Sequence, residues 1–197
     1  MGSPQRSAAV GDRTPSKTRT VLLRTCSSLR LLHLRAVQLP DPSPFLTRLL
    51  EALTNDGIVT DGFPLDHLCY RVETTARYGA MKALLSKNGR CLGEHSIGGR
   101  PIATFKLHTP FAFQGRCIDV VELPSTKNGS PYPEGWEHAE FVVDEEPKAF
   151  AARYPQLNWD LSGVEKQRNA DVRLSYDGFS VKFHRQALEE VIAGEHM

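Results

Sequence analysis

The sequence lacks several features that would assign it to a familiar class of protein. No apolar run reaches 18 residues, which excludes a membrane-spanning helix. Cys26, Cys69, Cys91 and Cys117 form no CxxC pair and no zinc-ribbon spacing, so we expect reduced thiols in an intracellular compartment. A phosphate-binding loop, a dinucleotide fingerprint and a nucleophile elbow are also missing, and the usual signatures of nucleotide-binding proteins and serine hydrolases are therefore absent.

Acidic residues are nearly absent from residues 1–38. This segment holds seven Arg or Lys and one Asp, a net charge of +6, so residues 39–197 carry −5 of the total of +1. The stretch from Val21 to Val37 is basic and weakly amphipathic and resembles a mitochondrial or plastid transit peptide. A disordered, untargeted extension of a cytoplasmic protein explains the same composition. Nucleic-acid binding is not expected, since no aromatic residues interleave the arginines and the remainder is acidic.

The body, from residue 39 onward, mixes helical and strand patterns. Apolar periodicity predicts four helices, at about 43–55, 75–87, 146–154 and 186–193. We expect Ser43 to cap the first helix and Asn88-Gly89 to end the second. Alternation of apolar and polar residues predicts strands at 65–72, 102–107, 118–123, 137–143, 172–176 and 179–184. Runs of consecutive strands between helices indicate an α+β fold with largely antiparallel pairing.

A weak internal repeat relates residues 66–72 to residues 137–143. Each copy begins with an acid and a His and ends with an aromatic residue, a variable residue and Val. Each copy is followed by a helix and then by strands, which predicts two βαβββ modules. The modules are expected to pair into one curved, cup-shaped sheet, mixed or antiparallel, with the helices on the outside. The last strand of each half carries a possible metal ligand, Glu122 in the first and His184 in the second.

Strict alternation along a strand divides each predicted strand into an apolar face and a polar face. The polar faces hold four of the seven histidines and a carboxylate, namely His67, His108, His138, His184 and Glu122. Solvent-facing strands are usually rich in Lys, Thr, Ser and Glu rather than His. A cluster of His and carboxylate suits a divalent transition metal such as Zn, Fe, Mn, Ni or Co. A solvated polar face is the alternative.

Three cations share the polar faces with the histidines. By strict alternation, the same strand faces carry the possible metal ligands and three cations, Arg71, Lys106 and Lys182. Positive charge beside a metal site favours a small anionic ligand, or one that develops an oxyanion. The alternative is that these cations pair with Glu140 or Glu122.

Several motifs of the body resemble those of the YecM family. They are Asp66-His67, Gly99-Arg100-Pro101-Ile102, Phe105-Lys106-Leu107-His108, Val121-Glu122-Leu123-Pro124, Tyr132-Pro133, Glu134-Gly135-Trp136-Glu137-His138 and Lys182-Phe183-His184. YecM proteins resemble the vicinal oxygen chelate superfamily, which contains glyoxalase I and the extradiol dioxygenases. The resemblance covers about residues 42–195.

This resemblance implies a metal bound by the first and last strands of each module. The matching positions are His67, Glu122, His138 and His184, and Glu140 competes with His184 for the last place. The implied protein is a metal-dependent enzyme, of isomerase, lyase or dioxygenase type, that acts on a small anionic substrate with vicinal oxygens. Glu140, Arg71 and Lys106 are then the expected catalytic residues. The alternative is a non-catalytic binding protein for a small anionic metabolite, with or without metal, and a homodimer is compatible with either.

Overall fold

A computed structural model describes residues 39–127 and 132–194. The predicted N-terminal extension, residues 1–38, lies outside the described residues. The elements in chain order are α1 (Ser43–Asn55), β1 (Leu65–Arg71), α2 (Thr75–Asn88), β2 (Gly89–Ile97), β3 (Arg100–Phe113), β4 (Arg116–Pro124), β5 (Gly135–Val142), α3 (Pro147–Ala152), β6 (Asp171–Tyr176), β7 (Phe179–His184) and α4 (Leu188–Gly194). Within the described part, no helix has the length and apolar character needed to cross a membrane.

The strands form one seven-stranded mixed sheet in the order β2-β3-β4-β1-β5-β7-β6. At its centre β1 and β5, the first strands of the two halves, pair antiparallel. Each of them pairs in parallel with the last strand of its own half, β1 with β4 and β5 with β7. The outer pairs, β2–β3, β3–β4 and β6–β7, are antiparallel. The predicted α+β class and the mixed sheet are confirmed.

The two halves differ in their number of strands. The first half has the predicted βαβββ order, whereas the second runs β5-α3-β6-β7 and is one strand short. Residues 153–170, between α3 and β6, make turns and a single bridge from Asp160 to Arg173. Apolar alternation does not predict β2, because this edge strand is largely exposed.

The apolar face of the sheet packs against α1, α2 and α3. One cluster joins α1 and α3 to the centre and second half of the sheet through buried residues such as Leu49, Phe141, Phe150 and Phe183. The other joins α2 to the first half through buried residues such as Tyr70, Met81, Leu85, Phe105 and Val121. Burial of this apolar surface is the main favourable contribution to folding.

The last helix, α4, differs from the expectation that all helices lie outside the cup. The backbone N–H of Leu188 donates to Asp66 Oδ2 at 3.0 Å, and Glu189 pairs with Lys106. Lys106 has the strand parity of the histidines and not that of the apolar core. The first turn of α4 therefore contacts the polar side of the first half of the sheet.

The start of α1 differs from the sequence-based expectation, whereas α2 ends at Asn88-Gly89 as predicted. The N-cap of α1 is Pro42, and the Ser43 hydroxyl donates to Asp41 Oδ1 at 2.7 Å instead of capping the helix. At the end of α2, Gly89 has an extended φ of −166°. A Cβ at this position would collide with the carbonyl oxygen of Lys106 in β3. The glycine is therefore required by close strand packing.

We expect Phe150→Ala to lower the free energy of unfolding by about 3–5 kcal/mol, because the substitution leaves a cavity in the core. The Phe150 ring is fully buried, and its centroid lies 4.6 Å from that of Phe183. Urea denaturation measures the change. Val59→Ala is the control, since Val59 is 70% exposed, and it should change stability by about 0.5 kcal/mol or less. A similar loss in both variants would contradict this packing.

Candidate metal centre

Two β-bulges lie at the acid–His pairs of the internal repeat. In the pairing of β1 with β5, Leu65 opposes Phe141 and His67 opposes Glu140, so Asp66 is an extra residue. Tyr70 opposes Trp136 and Cys69 opposes His138, so Glu137 is an extra residue of β5. A bulge places two successive side chains toward one face of a sheet. Each acid can therefore reach the histidine that follows it.

Each acid accepts a hydrogen bond from Nδ1 of its neighbouring histidine. His67 Nδ1 lies 2.7 Å from Asp66 Oδ2, and His138 Nδ1 bonds to Glu137 Oε2. A carboxylate on Nδ1 fixes the orientation of the ring and leaves Nε2 for a ligand, as second-shell carboxylates do for metal-binding histidines. Strict alternation does not predict Asp66 and Glu137 as site residues, because it places them on the opposite face from the histidines. The acid that precedes the His in both copies of the repeat is the sequence feature that could have identified them.

The free Nε2 atoms of three histidines face one carboxylate. Oxygens of Glu140 lie 3.4 Å from Nε2 of His67, 3.2 Å from Nε2 of His138 and 3.4 Å from Nε2 of His184. All three Nε2 atoms are buried and have no hydrogen bond of good geometry. Glu140 itself forms an ion pair with Lys182. The polar side of the sheet thus contains a buried His–carboxylate cluster, the cup cluster: Asp66, His67, Glu122, Glu137, His138, Glu140, Lys182 and His184.

Within the cup cluster, the strand register relates Glu122 to Lys182 and not to His184. Glu122 of β4 opposes Cys69, two residues after His67. In the second half, Lys182 of β7 opposes Glu140, two residues after His138. His184 lies two residues further along β7. The sequence predicts corresponding places for Glu122 and His184, because each lies in the closing strand of its half. The pairing register that separates them cannot be read from the sequence.

Within residues 39–127 and 132–194, the side-chain positions give three candidate groups of metal ligands. Ligand atoms of His67, Glu122 and His138 all lie within 4.8 Å of one another, and so do those of Asp66, His67 and His184. A third group joins Cys69, Glu137 and His138. Burial raises the pKa of the Cys69 thiol, which disfavours the thiolate that a metal requires. The first group, two histidines and one carboxylate, is a common donor set for Fe, Mn and Zn.

Charges in the cup cluster shift its pKa values strongly. Burial opposes the positive charge of His67, but the charge of Glu140 and the hydrogen bond to Asp66 outweigh it and raise the pKa of His67 to about 9. Burial likewise opposes ionisation of Glu122, but the hydrogen bond and charge of His138 lower the pKa of Glu122 to about 2. Lys182 and His67 outweigh burial at Glu140 and hold its pKa well below 4.5. Burial lowers the pKa of His184.

The other expected site residues lie apart from the three histidines. Arg71 pairs with Glu137 at 3.2 Å and so contacts the edge of the cup cluster. Lys106 shares the polar side of the sheet but pairs with Glu189 of α4 and, at 3.5 Å, with Asp119. His108 is exposed and lies where the pairing of β3 with β4 is interrupted. The structure thus brings together His67, Glu122, His138, Glu140 and His184, and leaves Lys106 and His108 outside.

The fold and the cup cluster together define a mixed-sheet α+β protein with a buried His–carboxylate site between two related halves. The family model of the YecM protein matches residues 39–195, and the chain belongs to this family. It is 30% identical over 178 residues to Protein YecM of Escherichia coli (strain K12), covering 80% of this chain and 94% of that one. The recognition of the YecM family from sequence motifs is confirmed.

The chain is also similar, to different degrees, to two solved structures. Protein EC4020, from structural genomics, aligns with a TM-score of 0.68 at 24% identity over 82% of this chain and 99% of that one. A methylmalonyl-CoA epimerase of Streptomyces coelicolor aligns with a TM-score of 0.42 at 14% identity over 63% of this chain and 97% of that one. The first of these similarities shows the fold alone.

We expect the metal-free protein to be most stable between about pH 4.5 and 6.5. Folding raises the pKa of His67 from 6.5 to about 9, so its stabilising contribution is complete below pH 6.5 and is lost as the pH rises toward 9. Folding lowers the pKa of Glu122 from 4.5 to about 2, so its contribution is lost as the pH falls from 4.5 toward 2. Urea denaturation of chelator-treated protein across this range measures both slopes. An unchanged alkaline slope in His67→Gln would contradict the assignment to His67.

Proposed function

We propose that this protein binds one divalent transition metal through His67, His138 and Glu122. The observation that carries the proposal is the set of buried histidine Nε2 atoms that lack good hydrogen bonds and face carboxylates across β1, β4 and β5. Buried polar atoms without partners are rare in native proteins and call for an ion, a water or a functional role. A transition metal between His67 and His138 would be a ligand partner for the Nε2 atoms of both.

The charge of the cup cluster supports a dication. Four carboxylates, Asp66, Glu122, Glu137 and Glu140, lie in it with side chains at most 17% exposed. Its permanent cation is Lys182, and Arg71 adds a second positive charge at its edge through the contact with Glu137. With neutral histidines the balance is two negative charges, which burial makes costly. A divalent cation compensates this charge, and without metal, protons on His67 and His138 do so.

The choice of three ligands follows from the register. Lys182 occupies in the second half the place that Glu122 has in the first, and its ammonium group cannot bind a metal. His184 lies close to Asp66 and Glu140 instead, at 3.5 and 3.4 Å. Two histidines and one carboxylate leave open positions on a metal for a substrate. We assign His184 and Glu140 to the surroundings of the metal, where they orient the ligands and the substrate.

As an enzyme, the protein acts on a small anionic substrate that offers two vicinal oxygens. When bound, the metal supplies Lewis acidity that polarises the substrate oxygens and stabilises negative charge. We assign the role of proton acceptor to Glu140, because it is outside the proposed ligand set and its Oε1 faces the Nε2 atoms that would bind the metal, at 3.2 Å from His138 and 3.4 Å from His67. Arg71 contributes positive charge at the edge of the cup cluster. Lys106 is left out, because Glu189 and Asp119 neutralise it.

A second candidate function is binding without turnover. The pairing of Glu140 with Lys182 favours it, because a carboxylate whose pKa lies well below 4.5 is a weak base. In that case the same site retains an anionic metabolite, with or without metal.

We expect the purified wild-type protein to contain about one metal ion per chain after expression in metal-supplemented medium. His67→Ala, His138→Ala and Glu122→Ala each remove a ligand and should abolish stoichiometric metal, as measured by inductively coupled plasma mass spectrometry. His184→Ala should retain it. His108→Ala is the matched control, since His108 is exposed and outside the cup cluster, and it should behave as the wild type.

Circular dichroism of each variant shows whether a loss of metal reflects unfolding. A wild-type protein without stoichiometric metal would overturn the metal proposal. Loss of metal in His184→Ala with retention in Glu122→Ala would replace Glu122 by His184 as the third ligand.

We expect the metal-loaded protein to turn over a member of a panel of 2-oxo acids, hemithioacetals and catechols. Glu140→Gln keeps the size of the side chain but removes the proton acceptor, and should lower kcat about 100-fold or more while the metal content remains. Steady-state kinetics measures the change. Binding of panel compounds by calorimetry, with no product formed by any metal-loaded sample, would favour the second candidate function.

A further inference from the structure

A cavity of about 850 Å³ opens beside the cup cluster and contains three arginines from three separate elements. Arg48 comes from α1, Arg71 from the end of β1 and Arg173 from β6. Glu137 lines the cavity too, and its other carboxylate oxygen bonds to His138. The cavity therefore adjoins the proposed metal ligand His138 at Glu137. Its volume lies within the range of sites for organic ligands.

Aromatic rings hold two of the guanidinium groups in fixed positions. The Arg71 guanidinium carbon lies 4.6 Å from the centroid of the Tyr132 ring, and that of Arg48 lies 5.4 Å from the centroid of the Phe179 ring. Stacking on a ring fixes the plane of the guanidinium and leaves its N–H groups available to an anion. Arg71 Nε is buried and has no hydrogen-bond partner. Two donors of the cavity are thus oriented before any ligand binds.

The acids of this cavity are already engaged, whereas two of its arginines are not. Glu134 accepts hydrogen bonds from Arg77, at 2.6 and 2.9 Å. Glu137 pairs with Arg71 and His138, and Asp41 accepts from Ser43. Among residues 39–127 and 132–194, neither Arg48 nor Arg173 forms an ion pair with a carboxylate. Three arginines and three acids line the cavity, but Arg48 and Arg173 have no carboxylate paired with them in the described part of the chain.

Other cations of the polar side are neutralised by their neighbours. Lys182 pairs with Glu140, and Lys106 pairs with Glu189 and Asp119. The capacity for binding an anion thus lies with the arginines of the cavity and not with the lysines. Planar guanidinium groups match the oxygens of a phosphoryl group through paired hydrogen bonds, and their charge balances a dianion.

We propose that this cavity binds the phosphoryl group of an organic phosphate, with the guanidinium groups of Arg173 and Arg48 as its principal ligands and the unpartnered Nε–H of Arg71 as a further donor. Both Arg71 and Arg173 are close enough to Glu137 for their charges to act on its carboxylate. Glu137 adjoins both the cavity and His138, and we expect a phosphorylated substrate to extend past it so that its vicinal oxygens reach the metal. This last step rests on the proposed function, whereas binding of the phosphoryl group does not.

Isothermal titration calorimetry on chelator-treated protein tests the phosphoryl site without metal. Dihydroxyacetone phosphate is the probe, because it carries a phosphoryl group and two vicinal oxygens. Dihydroxyacetone and inorganic phosphate are the comparison probes. We expect dihydroxyacetone phosphate and inorganic phosphate to bind and dihydroxyacetone not to bind. Arg173→Gln and Arg48→Gln should each weaken the binding of dihydroxyacetone phosphate, Arg173→Gln by about tenfold or more.

Arg90→Gln is the matched control, because Arg90 lies on the edge strand β2 and its side chain is 67% exposed. This variant should leave binding unchanged. Equal binding of dihydroxyacetone phosphate by Arg173→Gln and the wild type, or no binding of either phosphate compound, would overturn the phosphoryl site. Metal content of the same samples is measured separately. Phosphate binding in a protein that takes up no metal would support the phosphoryl site and overturn the proposed function alone.

Addition of metal tests whether one substrate molecule contacts the arginines and the metal at the same time. The metal-loaded protein should bind dihydroxyacetone phosphate more tightly than the metal-free protein, while its affinity for inorganic phosphate stays the same. An equal gain for both compounds would contradict simultaneous contact with the arginines and the metal.

Discussion

The arrangement of the side chains on the polar side of the sheet depends on the carboxylate of Glu140. It meets the Nε2 atoms of three histidines that come from β1, β5 and β7, and it pairs with Lys182. A buried charge of this kind is costly unless every neighbour is positioned to compensate it. The antiparallel pairing of β1 with β5 and the parallel pairing of β5 with β7 supply that positioning. The alignment of the sheet and the chemistry of the site therefore depend on each other.

Much of this arrangement could be predicted from the sequence, because alternation and periodicity are local properties. Parity alone placed His67, His138, His184 and Glu122 on the same side of a sheet, and the structure brings these four residues near one another. The helices and most strands were predicted within a few residues, since their apolar patterns are regular. The edge strand β2 was missed because burial does not impose a pattern on it.

The remaining differences arise from non-local geometry. The bulges at Asp66 and Glu137 break strict alternation, so the acids that orient His67 and His138 were assigned to no site. The relation of Glu122 to Lys182 depends on register, which is fixed by strand pairing across the whole half. The neutralisation of Lys106 depends on α4, a distant helix that returns to the polar side of the sheet. None of these contacts leaves a periodic signal in the sequence.

The central pairing of β1 with β5 has a consequence for the order of folding. His67 and Glu122 belong to the first half of the chain and His138 to the second, so neither half contains a complete set of ligands. The two halves must close a long loop before their first strands can meet, and the entropy of that closure opposes an early encounter. The two halves can each begin to order their own parallel and antiparallel pairs, whereas the cup cluster assembles only when they join. We therefore expect the His–carboxylate cluster to form late in folding, once both halves are in register.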